Sequence, residues 1–79
     1  MDKDFDALRR LLGDNVRRLR SSRKMSQEEF AFEAEIDRTY VSQIERATIN
    51  PSLLVLHKVA RVLRVNVVEL LSRGKSNDK

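Results

Sequence analysis

Cysteine is absent from this chain of 79 residues, and histidine and proline occur once each. Without cysteine there is no disulfide framework and no thiolate metal site, and a single histidine, His57, excludes a zinc finger. Glycine occurs only twice, and no segment sustains a two-residue alternation, so the turn signals of an all-β fold are missing. The longest unbroken apolar run is Leu53–Leu56, far short of a membrane span, so no membrane association is expected. Met1-Asp2-Lys3-Asp4 leads into no apolar segment, so no signal peptide is expected and the cytoplasm is the expected compartment. Ser, His and Asp all occur, but no glycine-rich loop or metal constellation accompanies them, and a core this small offers little room for a substrate pocket. The chain therefore reads as a non-enzyme that needs no cofactor and no metal.

What is present is charge, strongly mixed. Charged residues make up 35% and hydrophobic residues 41%, which fits a globular domain and not a disordered tail. One domain is expected over residues 1–73, followed by a polar tail over 74–79. So small a chain buries only about 60–65% of its unfolded surface, which makes dimerisation a natural way to bury more. The net charge of +4 is unevenly spread. Residues 15–24 hold Arg17, Arg18, Arg20, Arg23 and Lys24 and no acid, whereas residues 25–37 hold Glu28, Glu29, Glu33, Glu35 and Asp37 and no base. Clustered basic charge suits a polyanionic partner, although basic residues also simply solvate helix faces.

The apolar spacing divides the chain into five helices. Phe5, Leu8, Leu12, Val16 and Leu19 form one stripe on a first helix, with Asp4 as its candidate cap. Gly13 within it costs about 1 kcal/mol against alanine and suggests a bend or a late start. Ser26-Gln27-Glu28-Glu29 is a capping box opening a short second helix with Phe30, Ala31 and Ala34 inside. Asp37 is a good cap for a third helix from Arg38 to about Arg46, with Val41 and Ile44 inside. Asn50-Pro51 predicts a cap followed by proline at the first helical position of a fourth helix. Its inner stripe is Leu53, Leu56, Ala60 and Leu63, widened by Val55, Val59 and Val62. Asn66 to Glu69 resembles another capping box, opening a last short helix through Leu71.

Residues 27–46 carry the functional signal. Two short helices joined by a few residues have helix-turn-helix geometry. Apolar residues fall at Phe30, Ala34, Ile36, Val41 and Ile44, and small Ala31 lets the second helix cross closely. The segments Met25–Ala31, Ile36–Arg46 and Asn50–Leu53 resemble the Xre/Cro-type helix-turn-helix domain of phage repressors. Asp37-Arg38-Thr39-Tyr40-Val41-Ser42 with Ile44-Glu45-Arg46 is especially similar to the controller proteins of restriction–modification systems. The resemblance covers about residues 12–71 and implies an all-α, five-helix bundle of the lambda repressor-like type. Glu35 departs from the pattern, standing at a turn position usually held by glycine, where a left-handed backbone costs about 1 kcal/mol.

The resemblance implies base contacts from Arg38, Thr39, Tyr40 and Gln43; Ser42 lies on the same exposed face. Arginine at the head of a recognition helix can donate twice to guanine, and the Thr39 methyl suits thymine. Tyr40 is equally open to packing at the core edge. Ser26 and Gln27 at a helix start, with Arg17, Arg46 and Asn50, are the candidate phosphate contacts; Arg46 is also open to pairing with an acid. The resemblance further implies a partly buried salt bridge between Arg20 and Glu45. The surplus apolar residues Val55, Val62, Val65, Val67 and Leu71 are candidates for a dimer interface. His57 reads as a surface or interface residue.

The expected function is a sequence-specific transcriptional regulator. It binds double-stranded DNA as a homodimer on a palindromic operator whose half-sites lie about 34 Å apart. By resemblance, a controller protein regulates its own gene and the endonuclease gene. An activator must also touch RNA polymerase, for which Glu28, Glu29 and Glu33 offer an acidic face. The alternatives are a phage-type repressor or an antitoxin acting through a protein partner, and the latter would have almost no segment left over for its second task.

Overall fold

The computed structural model describes residues 2–73. Five helices follow one another, α1 (Lys3–Ser22), α2 (Gln27–Ala34), α3 (Arg38–Glu45), α4 (Leu53–Leu63) and α5 (Val67–Leu70), and no strand occurs among the described residues. The polar tail expected over 74–79 lies outside the described residues.

Local chemistry starts each helix. At α2 the Ser26 hydroxyl accepts from the Glu29 amide and the Glu29 carboxylate accepts from the Ser26 amide, a complete capping box, and Asn66 and Glu69 do the same at α5. Asp37 caps α3 by accepting from the Thr39 amide at 2.8 Å. Two starts differ from expectation. Asp2, not Asp4, caps α1, because its carboxylate reaches the amides of Asp4 and Phe5. Ser52, not Asn50, caps α4, accepting from the Val55 amide at 3.1 Å. The residue before a proline is held in extended backbone, so Asn50-Pro51 runs in as a linker and the helix begins only at Leu53. Leu53 consequently sits at the outer end of α4, largely exposed and off the inner stripe, since helical side chains lean towards the N-terminus.

The helix ends share a device. Lys24, Glu35, Ala47 and Arg64 all have φ near +60°, and the four following amides bond back to the carbonyls of Arg20, Ala31, Gln43 and Ala60. These are Schellman closures of α1 to α4, each with a non-glycine residue at the left-handed position. With glycine so scarce in the chain, all four closures are made at a cost of about 1–2 kcal/mol each.

The core joins all five helices: Leu12 and Val16 from α1, Phe30 and Ala31 from α2, Val41 and Ile44 from α3, Val59, Ala60 and Leu63 from α4, and Leu70 from α5. Phe30 is fully buried, and losing its ring costs about 3–5 kcal/mol. Gly13 is neither a bend nor a start. α1 runs unbroken through it, and a Cβ there would lie 2.7 Å from the Ile44 carbonyl oxygen and 2.8 Å from that of Glu45. The position is glycine because the backbone of α3 presses directly on α1.

Candidate nucleic-acid interface

The third helix has two ends with opposite environments. At its start Arg38 and Thr39 are exposed, and Asp37 ties down only the backbone. At its finish Glu45 is buried, with its side chain 1% exposed. Arg20 Nε donates to Glu45 Oε2 at 2.6 Å and Arg20 Nη2 to Oε1 at 3.0 Å. Gln27 Nε2 donates to the same Oε1 at 3.0 Å. Arg17 Nε lies 3.7 Å from Oε1, and Arg17 Nη2 donates to the Glu45 carbonyl oxygen at 3.4 Å. Burial pushes the Glu45 carboxyl up. The hydrogen bonds from Arg20 and Gln27 and the charges of Arg20 and Arg17 outweigh it and hold the group below its ordinary value. Arg20 also donates through Nη1 to the Met25 carbonyl oxygen at 2.8 Å, so one guanidinium fastens α1 to the α1–α2 turn and to α3.

The remaining expected site residues fall into distinct settings. Tyr40 is half-buried and packs against the core, which leaves its edge on the surface. Ser42 accepts a hydrogen bond from Arg46 Nε at 3.2 Å and keeps its own hydroxyl hydrogen to donate. Arg46 is exposed and forms no ion pair among the described residues. Gln43 is half-buried, and its carbonyl oxygen accepts from the Thr48 hydroxyl and amide. Ser26 uses its oxygen to cap α2, while Gln27 uses one amide hydrogen on Glu45. Asn50 is exposed in the linker before α4. Arg38, Thr39, Ser42, Gln43 and Arg46 thus come from one helix and its cap, with the start of α2 braced to the same helix through Gln27 and Glu45.

A helix-turn-helix family model matches residues 16–70. The chain belongs to the Xre-like helix-turn-helix family. Within that family it is 46% identical over 65 residues to the control protein C.BamHI of Bacillus amyloliquefaciens, covering 81% of this chain and 80% of that one. It is 34% identical over 76 residues to the control protein C.SmaI of Serratia marcescens, covering 95% of this chain and 90% of that one. The crystal structure of the restriction–modification controller protein C.AhdI from Aeromonas hydrophila superposes with a TM-score of 0.78 at 38% identity, over 81% of this chain and 97% of that one. The chain is a helix-turn-helix DNA-binding regulator homologous to these controller proteins.

Three features of the site escaped the sequence reading. The Gln27–Glu45 bond and the Arg17 bond to the Glu45 carbonyl join residues far apart in the chain, and no local pattern signals either. Phe32 is 83% exposed on α2, beside Glu28, Glu29 and Glu33, and its position off the inner stripe of Phe30, Ala31 and Ala34 was the available clue.

Proposed function

We propose that the chain is a homodimeric transcriptional regulator of the restriction–modification controller kind, reading a palindromic operator and governing its own gene and an endonuclease gene. The observation that carries this reading is the asymmetry of α3: Arg38 and Thr39 are exposed at one end while Glu45 is clamped at the other. A recognition helix needs a free N-terminal turn for base edges and a rigid seat to aim it. Arg38, Thr39, Tyr40, Ser42 and Gln43 face the bases. Ser26, Gln27, Arg17, Arg46 and Asn50 meet phosphates, where the free amides at the start of α2 add a positive helix end.

The dimer forms through α4 and α5. Val55, Val62, Val65, Val67 and Leu71 are half-buried against their own core, and Leu54 and Val68 stand exposed on the same two helices. The domain of residues 1–73 works in the cytoplasm, where its DNA is, as a binding protein and not an enzyme. As an activator it presents Phe32 with Glu28, Glu29 and Glu33 to RNA polymerase.

A mobility shift with the DNA upstream of its own gene tests the reading, with salt as a second axis. A dimer that neutralises about 6–10 phosphates loses about 10³–10⁵-fold in affinity between about 50 and 200 mM salt. Failure to shift that DNA, or a flat salt response, overturns the proposal.

A further inference from the structure

Besides Glu45, the one buried polar side chain among the described residues is Asn15 on α1. Its Nδ2 donates to two carbonyl oxygens at the end of α5, those of Leu70 and Ser72, each at 2.8 Å. Its Oδ1 accepts from Arg18 Nη2 at 3.2 Å. Both amide hydrogens are therefore used on the open carbonyl end of a helix only four residues long. Such a helix has almost no internal partners and depends on its surroundings for its orientation. Two residues earlier, Gly13 lies against the carbonyls of Ile44 and Glu45 at the end of α3. One turn of α1 thus holds the C-terminal ends of both α3 and α5.

These two helices have different tasks under the proposed function, on which this inference rests: α3 reads the bases and α5 contributes to the dimer face. We propose that Asn15 is a positioning residue for operator geometry. By fixing α5 to α1 at the point where α1 seats α3, it sets the angle between the dimer face and the recognition helix. It therefore sets which separation of half-sites a dimer can span. Two linked binding events reinforce each other only when geometry allows both at once, so a looser angle lowers selectivity for spacing without touching any base contact.

The test compares the full chain with Asn15→Leu, which keeps the branched shape and the number of heavy atoms and removes both donors. Each is titrated with a single half-site and with palindromes whose half-site separation is lengthened or shortened by one and two base pairs, and each is sedimented. The wild type is expected to prefer one separation by about tenfold or more. Asn15→Leu is expected to remain a dimer, to bind the single half-site within about twofold of wild type, and to show a preference flattened to about threefold. Asn15→Ser, which keeps one donor, is measured in parallel, so that a poorly folded leucine variant does not end the experiment; it should flatten the preference in part. A folded, dimeric variant of either kind with the wild-type spacing preference overturns the inference. A wild-type dimer indifferent to spacing likewise overturns the inference, whereas a wild-type chain that sediments as a monomer overturns the dimeric reading itself, and both results appear before any variant is considered.

Discussion

Arg20 holds both carboxylate oxygens of Glu45, through Nε at 2.6 Å and Nη2 at 3.0 Å, and so binds the end of α3 to α1. Under the proposed function the acid sits on a helix that faces a polyanion, and it points inward and is neutralised there. Removing it with Glu45→Ala leaves a guanidinium that is only 14% exposed without its partner. The expected loss is about 3–5 kcal/mol, a large part of a total of about 5–15 kcal/mol. Thermal unfolding checks it, and an unchanged melting temperature would refute the clamp.

The same pair gives stability a dependence on acid. The folded Glu45 carboxyl takes up its proton at lower pH than the unfolded one. Its contribution is therefore complete above the ordinary carboxylate value of about 4.3 and drains away as pH falls through the lower folded value. Denaturant titrations across this range should show the wild type losing stability as pH falls. Glu45→Gln, less stable at neutral pH, should show a shallower loss, and parallel curves would exclude Glu45 as the group responsible.

Gly13→Ala sets two magnitudes against each other. Alanine improves helix propensity by about 1 kcal/mol, but its methyl would meet two backbone oxygens below 3.0 Å, an overpacking that costs about 1–3 kcal/mol. Backbone cannot swing aside as a side chain can, so a net loss of stability is expected, with weaker operator binding as α3 moves. A more stable variant with full affinity would show that the close approach is relaxed in solution.

Arg38 and Gln27 should separate reading from positioning. Arg38→Ala is expected to cost about 1–3 kcal/mol per half-site and to relax preference at one symmetric base pair, with lysine restoring affinity only in part because it lacks the planar fork. Gln27→Ala should weaken specific and non-specific DNA together. It should also loosen Glu45, so its melting temperature should fall where that of Arg38→Ala does not. Selection over randomised operators decides the matter: a wild-type preference at every position in Arg38→Ala would reverse the assignment.

Val68 is 71% exposed on α5. A charge there leaves the core intact, so Val68→Glu should sediment as a folded monomer with its helical signal unchanged. An undisturbed dimer would place the interface elsewhere.

The sequence revealed most where one residue speaks to its near neighbours. The capping boxes at Ser26 and Asn66 were legible because their partners lie three residues away. Asp2 and Asp4 could not be told apart on that basis, since both precede the same apolar stripe and either can cap. Ser52 was hidden by the stronger-looking Asn50-Pro51. Of the four left-handed closures only Glu35 stood out, because a family pattern expects glycine there; Lys24, Ala47 and Arg64 carry no such mark. The third helix was legible down to its exposed first turn. Its seat was legible only as the Arg20–Glu45 pair, since Gly13 and Gln27 gain their meaning from backbone and side chains that arrive from other helices.

The unequal ends of α3 also bear on how such regulators diversify. Arg17, Arg20 and Gln27 converge on its last residue, whereas Arg38 and Thr39 at its head take no part in the core. Under the proposed function, stability and sequence preference then fall to separate residues of an eight-residue helix. If that pair reads bases as proposed, exchanging it insulates two copies of this scaffold from each other's promoters, because a mismatched base contact discriminates by about 1–3 kcal/mol. The exchange asks nothing of the fold, so new specificities are reachable by single steps through folded intermediates.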